Sequence, residues 1–477
     1  MNTRLSCISV LLAMALAGCA TLDHSTNLAA AMPVPATLTA KAAPAAAVPA
    51  VHGDGPVITE GSALPDWHQV VTDARLQRLI DRALLNNRDL RLAALNIDKA
   101  RATYRISEAS LLPTVNASAG GSATRTSAAV SNGSSTITRQ LDVSLGVASW
   151  ELDLWGRLRE LKASALATYL GTEQTRQSVQ STLIAEVSQA WLTLAADQSL
   201  ARLAEQTHAG RQQTLSLTSK RRELGAVSAL DVATAEAAVQ TARGDLATAR
   251  AQVTQDLNAL RLLVGEEPAA DLLPGATESQ PVASLLKVPA ELPSTVLLQR
   301  PDVRAAELSL QAAKADVGAA RAALFPTISL TTSIGQASTG LNSLFSSANR
   351  TWSFAPSISL PVFDGGTARA NLQIAQVEQS IQLATYEQTV QTAFKEAADA
   401  LAVRGSLDER LAAQQAQVRA YEETVRLTQK RQALGMDSSL AVLTAQLSLY
   451  SAQQNLISLQ LTEQVNRLTL FKVLGGA

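Results

Sequence analysis

Leu217-Thr218-Ser219-Lys220-Arg221-Arg222-Glu223-Leu224-Gly225 recurs 210 residues later as Leu427-Thr428-Gln429-Lys430-Arg431-Gln432-Ala433-Leu434-Gly435. The match continues from Leu230, Val232, Thr234 and Ala235 onto Leu440, Val442, Thr444 and Ala445. Each copy reads as a helix end: cations in the last turn complement the dipole, and Gly supplies the left-handed residue at which the helix stops. A second helix then begins, and Ser228 to Asp231 has capping-box spacing with Asp in place of the usual Glu or Gln. The chain therefore contains two helical hairpins of one design.

Both arms of these hairpins are long. From Arg157 to Arg222 there is no proline and the only glycines are Gly171 and Gly210, which allows a helix about 100 Å long at 1.5 Å per residue. After the turn, Val232, Ala235, Val239, Ala242, Leu246, Ala249, Val253, Leu257, Leu260 and Val264 step by threes and fours, the seam of a coiled coil. Val442, Ala445, Leu449, Ala452, Leu456, Leu459, Leu470 and Leu474 repeat that seam, with Glu463 and Arg467 interrupting it. An ordinary antiparallel bundle has the same spacing, so the seam alone demonstrates pairing and nothing more.

Upstream, Asp89, Arg91, Ala93, Leu111, Pro113 and Thr114 fall on Asp302, Arg304, Ala306, Leu324, Pro326 and Thr327 at the slightly larger offset of 213. Two repeats of this size mean a pseudo-symmetric body, not a solenoid. Within each half the order is helix, two strands, a very long helix, a tight turn and another helix. Pro113 and Pro326 close the first helix of each half. Strands are expected over 114–125, 141–150, 327–335 and 351–360, with 126–138 and 336–349 as polar loops. Three of them alternate visibly, through Leu141/Val143/Leu145/Val147, Ile328/Leu330/Thr332/Ile334 and Trp352/Phe354/Ile358/Leu360.

Each strand is near the roughly 9–11 residues that a tilted strand needs to cross a bilayer. Soluble hairpins on a helical protein are the plainer alternative. If the strands do cross, four per chain are too few, because the smallest bacterial barrels have about eight and an open edge cannot sit in lipid. The chain must then self-associate: two copies give eight strands and barely a lumen, and three give twelve, enough to enclose a conduit. The fold class is mainly α with membrane β.

The first residues bear on location. Arg4 and the apolar run from Ile8 to Ala17 form an export leader, too short to span a membrane. It ends in Leu16-Ala17-Gly18-Cys19, which resembles the lipobox of bacterial lipoproteins; that implies cleavage before Cys19 and covalent N-acyl and S-diacylglyceryl groups on it. Ala20 rather than Asp follows, which in such lipoproteins permits sorting to the outer membrane. Residues 24 to about 64, rich in Ala, Pro and Thr, read as a tether. No other cofactor is expected. Lys+Arg 40 against Asp+Glu 41 leaves no basic footprint for nucleic acid. Aromatics make up only 3% of the chain, so long Ala-rich helices are favoured over large aromatic cores. Four His, no phosphate-cradling Gly motif and no metal-ligand cluster argue against an enzyme.

Trp67, Asp73, Leu76, Leu79 and Ala83-Leu84, then Asp153-Leu154-Trp155-Gly156, then Arg300-Pro301-Asp302-Val303-Arg304-Ala305-Ala306-Glu307, together with the two Leu-Gly turns, resemble the TolC-like outer-membrane factor family, in its lipidated branch serving resistance-nodulation-division (RND) efflux pumps. The resemblance covers residue 64 to the end. It implies a homotrimer in outer-membrane lipid, with a twelve-stranded β-barrel continuing into a twelve-helix α-barrel in the periplasm. The implied partners are a periplasmic adaptor and an inner-membrane RND-type transporter. On this reading residues 1–18 are the leader, 19–64 the lipidated tether, 65–270 the first repeat, 271–299 an equatorial connector and 300–477 the second repeat.

The resemblance places Leu224, Gly225, Leu434 and Gly435 at the adaptor-facing tip. It places Asp231 and Leu440 at the aperture, with Arg221 and Arg431 as cations available to Asp231. Ala441 and Thr444 stand where the family has acidic residues in the second repeat, so closure is expected to rest on Leu440 packing and on Asp231 with Arg221 or Arg431. A lipid-anchored coiled-coil spacer without a pore is the rival structural reading. Among exporters, protein secretion and metal-ion efflux stay open, although the 300–307 motif and the lipobox favour small molecules.

Overall fold

The computed structural model describes residues 37–38, 66–129, 133–275, 282–286, 288 and 292–476. The leader 1–18, Cys19 and the tether 19–64, except Thr37 and Leu38, lie outside the described residues, as does part of the 271–299 connector. Within the described tether, β1 (Thr37–Leu38) pairs antiparallel with β4 (Leu292–Pro293), so a stretch read as free linker is held to the connector at one point.

The first half contains α1 (Trp67–Val70), α2 (Ala74–Asn86), α3 (Arg88–Ala109), β2 (Val115–Thr126), β3 (Thr136–Glu151), α4 (Arg157–Glu223) and α5 (Ala229–Val264). The second contains α6 (Pro301–Ala322), β5 (Thr327–Ser338), β6 (Arg350–Ser359), α7 (Thr367–Ala433) and α8 (Ser439–Val473). The duplication is metrical: α3 and α6 are each 22 residues, and α4 and α7 are each 67. At 1.5 Å per residue the long pair reaches about 100 Å. The entering helix of the first half is split, because Asn87 leaves helical geometry, caps Leu90 through its side chain and donates to the Leu263 carbonyl at 2.9 Å. α3 and α6 stop short of Pro113 and Pro326, unwinding through turns such as Leu112 N to the Ala109 carbonyl and Phe325 N to the Ala322 carbonyl. A proline pushes its preceding residue out of helical geometry, so the helix ends before it.

The seams face inward. Ala235, Val239, Ala242, Leu246, Leu260 and Val264 are buried along α5, and Val442, Ala445, Ala452, Leu459, Leu470 and Leu474 follow the same face of the second hairpin. The interruption at Glu463 and Arg467 is a buried charge cluster. Glu463 accepts from Arg467 Nε at 2.6 Å and from Arg404 Nη1 at 3.2 Å, and Arg404 also holds Asp408. Arg467 Nη1 reaches the Ala283 carbonyl at 3.0 Å, and Gln464 accepts from Val282 N at 3.1 Å. These polar residues tie α8 to the connector, a task the apolar seam cannot perform.

An extensive apolar core lies where the two halves meet. Trp67, Leu76, Leu79, Ile80 and Ala83 from α1 and α2 pack with Leu183 to Leu194 of α4, the end of α5, the connector, Ala397 to Leu401 of α7 and the end of α8. Trp191 is fully buried and satisfies its indole N–H on the Leu272 carbonyl at 2.9 Å. Among the described residues no helix is long and apolar enough to cross a membrane.

Candidate functional site: the strand sheet and the helix tips

The four long strands form one antiparallel sheet in the order β2-β3-β5-β6, so the hairpins of the two halves join through β3 and β5. β3 begins at Thr136 rather than Leu141, since Thr136 to Gln140 continue the ladder with Ser122 to Thr126. That segment lacks apolar alternation, and backbone pairing needs none. β5 likewise runs on to Ser338, which shortens the expected loops to 127–135 and 339–349.

Register sorts the side chains into two unlike faces. Leu141, Val143, Leu145 and Val147 share one face with Ile328, Leu330, Thr332 and Ile334 and with Trp352, Phe354 and Ile358. The other carries Ser118, Gly120, Ser144, Gly146, Ser333, Gly335, Ser353 and Ser357, with hydroxyl pairs such as Ser118 with Ser144 at 2.8 Å and Ser333 with Ser353 at 2.7 Å. This polar face is crowded at the junction of the halves: a Cβ on Gly335 would stand 2.3 Å from the Val143 carbonyl oxygen, and one on Gly146 2.6 Å from that of Thr332. Near the helical end the register of β3 slips between Val147 and Trp150, with Ser149 at φ 54°. The extra residue turns Trp150, which would otherwise point to the polar face, onto the apolar one beside Leu330, where its indole donates to the Leu111 carbonyl at 3.3 Å. β2 and β6 are the sheet's edges within the chain.

Each strand pair leads into a long helix through one device. Asp153 accepts from Leu158 N and Arg159 N, and Asp364 from Gly366 N and Ala368 N, with Gly156 and Gly366 in the left-handed region just before the helices. Trp155 donates to the Pro326 carbonyl at 2.8 Å and stacks on Phe325, fastening the joint of one half to that of the other. The Asp153–Gly156 motif is thus a joint between sheet and helices.

At the opposite end, Gly225 and Gly435 both have φ 72°. Ala226 N donates to the Arg221 carbonyl and Met436 N to that of Arg431, which makes both turns Schellman motifs. Leu224 and Leu434 stand 84% and 75% exposed at the apices, and Met436, which the sequence reading did not single out, adds an exposed thioether beside them.

Beyond the first apex the capping box is complete: Asp231 N donates to Ser228 Oγ at 3.2 Å, and Ser228 N donates to Asp231 Oδ2 at 3.0 Å. The Ser228 hydroxyl and amide hold the Asp231 carboxyl below its ordinary range, so it stays ionised. Ser438 caps Ala441 N in the second half, where Ala441 offers no carboxylate to answer. Asp231 and Leu440 line one cavity between the hairpins. Arg221 is exposed on the last turn of α4. The partner of Arg431 within the chain is Asp437, at 2.7 Å, and not Asp231. The turn at Gly435 folds Asp437 back over the end of α7 and captures the guanidinium locally.

Residues 79–266 and 292–476 match the profile of the outer membrane efflux protein family, one stretch in each half. The antibiotic efflux pump outer membrane protein ArpC of Pseudomonas putida is 44% identical over 442 residues, covering 91% of each chain. The toluene efflux pump outer membrane protein TtgC, also of Pseudomonas putida, is 43% identical over 412 residues, 86% of this chain and 84% of that one. Among solved structures, the open state of the Neisseria gonorrhoeae MtrE outer membrane channel superposes with a TM-score of 0.76 at 38% identity, covering 89% of this chain and 95% of the other.

Proposed function

The chain belongs to the outer membrane efflux protein family, and on that premise we propose that it is the outer-membrane channel of a tripartite efflux pump, a passive conduit for small toxic compounds. One observation carries this reading. A four-stranded sheet with one apolar and one hydroxyl-rich face, open at β2 and β6, leads directly into helices of 67 residues. In a membrane barrel the apolar face meets lipid and the polar one the lumen. Open edges in hydrocarbon are prohibitively costly, so β6 of one copy pairs with β2 of the next. Three copies close twelve strands, and their helices continue the wall into the periplasm.

Cys19 carries the lipid that anchors the amino terminus to the outer membrane. The tips at Leu224-Gly225 and Leu434-Gly435 meet a periplasmic adaptor, which joins the conduit to an inner-membrane transporter of the RND type. The exposed leucines and Met436 suit such a docking, because large apolar side chains at an apex lose water only when a partner covers them. The transporter supplies energy and most of the selectivity; the conduit supplies passage.

Light scattering in mild detergent, with the detergent contribution removed, is expected to give a trimer mass, and the trimer is expected to produce discrete single-channel steps in planar bilayers. A stable monomer without conductance overturns the reading in favour of a tethered helical spacer.

A further inference from the structure

Three arginines among the described residues are buried. Arg300 holds Asp302 and Glu396, and Arg404 holds Glu463 and Asp408. Arg211, only 8% exposed, is the exception. Its Nη1 reaches the Ala238 carbonyl at a long 3.5 Å, its Nε has no acceptor, and no carboxylate among the described residues pairs with it. A buried charge left in this state is costly, which is why the other two are paired. Arg211 lines the cavity of about 440 Å³ that Asp231 and Leu440 also line, together with Leu230 from α5, Ser438 at the cap of α8 and Leu443 within α8. The charge is felt by a neighbour outside the cavity lining: burial and Asp245 push the Tyr450 hydroxyl up, and Arg211 acts on it in the opposite sense.

We infer that this cavity binds a small amphipathic monoanion, a compound with one carboxylate or sulfonate head and a compact apolar body. The head neutralises Arg211, and the body packs on Leu230, Leu440 and Leu443. Asp231, ionised at the tip side, disfavours a second negative charge. The volume suits a compact ligand and lies in the range of ordinary small-molecule pockets. Because α4 and α5 belong to one half and α8 to the other, an occupant bridges the two hairpins just inside their turns. Resting on the conduit reading, the bound anion holds the aperture residues in this arrangement and lowers the open probability.

The test uses the full-length protein in lipid nanodiscs and 4-(trifluoromethyl)benzenesulfonate as the probe, followed by fluorine-19 line broadening. Saturable binding is expected, with the neutral sulfonamide analogue and the Arg211→Met variant each at least about tenfold weaker and Arg211→Lys within about threefold of the parent. Arg202→Met, which alters an exposed arginine of the same helix away from the cavity, is expected to bind as the parent does. Leu443→Trp fills the cavity without touching the charge and is expected to abolish binding, which covers the case in which Arg211→Met does not fold. Undiminished binding by the cavity-filled variant, or equal binding of acid and amide, overturns the site. Binding without any change in channel open time overturns its coupling to the aperture. Absence of channel steps in the ligand-free protein overturns the conduit reading instead and leaves the binding result standing.

Discussion

Arg300 Nη2 donates to a carboxylate oxygen of Glu396 at 2.8 Å, joining the start of α6 to the middle of α7. The same guanidinium grips Asp302 through Nε and Nη2 and donates through Nη1 to the Val473 carbonyl at the end of α8. Burial alone would raise the Asp302 carboxyl, but the hydrogen bonds and charge of Arg300 outweigh it and hold the carboxyl below its ordinary value. One planar cation thus fixes three elements where the second half begins. Arg300→Gln is expected to destabilise the protein by about 1–3 kcal/mol, the range for losing charge-assisted hydrogen bonds, because the carboxylates left behind, Asp302 and Glu396, are partly exposed and screened. Arg300→Lys should recover little, because an ammonium cannot reach all these acceptors from one plane. Urea unfolding checks this, and a midpoint unchanged in Arg300→Gln would refute it.

Gly335 tests the sheet junction. Its position leaves no room for a Cβ against the Val143 carbonyl and Ser144. Gly335→Val must separate β3 from β5 or break their ladder, and the pairing of these strands joins the two hairpins of the sheet. Loss of trimers resistant to mild detergent is expected, with the helical content of the chain retained. Gly133, with open space around its Cβ position though φ is 88°, is the control, and Gly133→Asn should leave the trimer intact. A wild-type trimer yield from Gly335→Val would show that the strands can separate without cost.

Stability should depend on pH through Asp197. Its carboxyl is pushed up to about 7, first by burial and then by the hydrogen bond and charge of Asp256 across the α4–α5 seam. Asp256 Oδ1 accepts from Gln252 at 3.0 Å, while its buried Oδ2 has no hydrogen-bond partner among the described residues. The folded chain keeps that proton at pH values where the unfolded chain has released it. Stability therefore falls as pH rises from about 4 through 7, and the loss is complete above that window. Asp197→Asn supplies a permanent donor. It is expected to raise stability at pH 8 by about 1–2 kcal/mol, a figure discounted because Asp197 is half-exposed and screened, and to change little at pH 4. Melting curves at the two pH values decide it, and equal shifts at both would exclude the shared proton.

Most of the architecture was legible because it is periodic. The seams of α5 and α8, the Gly turns and the strand alternation are patterns of apolar spacing and backbone freedom, and those are properties of the chain itself. Strand ends were less legible: Thr136 to Gln140 pair by backbone alone, and the bulge at Ser149 has no side-chain signature. The helix tips were half legible. Ser228 and Asp231 lie three residues apart, so their capping box follows from spacing, whereas the capture of Arg431 by Asp437 depends on how the Gly435 turn folds back. The isolation of Arg211 had no sequence signal, since it is defined by carboxylates that other helices do not bring to it.

Asp231 has two duties that one pair of substitutions separates. Its carboxylate completes the capping box with Ser228, and its charge faces the cavity shared with Leu440. Asp231→Asn keeps a side chain that can accept from Ser228 N but removes the charge, so the melting temperature should hold while the preference for cations over anions in bilayer recordings falls. Asp231→Ala removes both, so the start of α5 should loosen as well. Because Ser228 holds the carboxyl below its ordinary range, the parent's cation preference should persist at pH 5. Leu440→Ala combined with Asp231→Ala is expected to raise resting conductance and antibiotic leakage several-fold, since both the apolar and the charged constraint on the aperture are then lost. Ala441→Asp supplies the carboxylate that the second cap lacks and should raise cation preference and thermal stability together. If the double alanine variant conducts and leaks as the parent does, the aperture is closed by other residues.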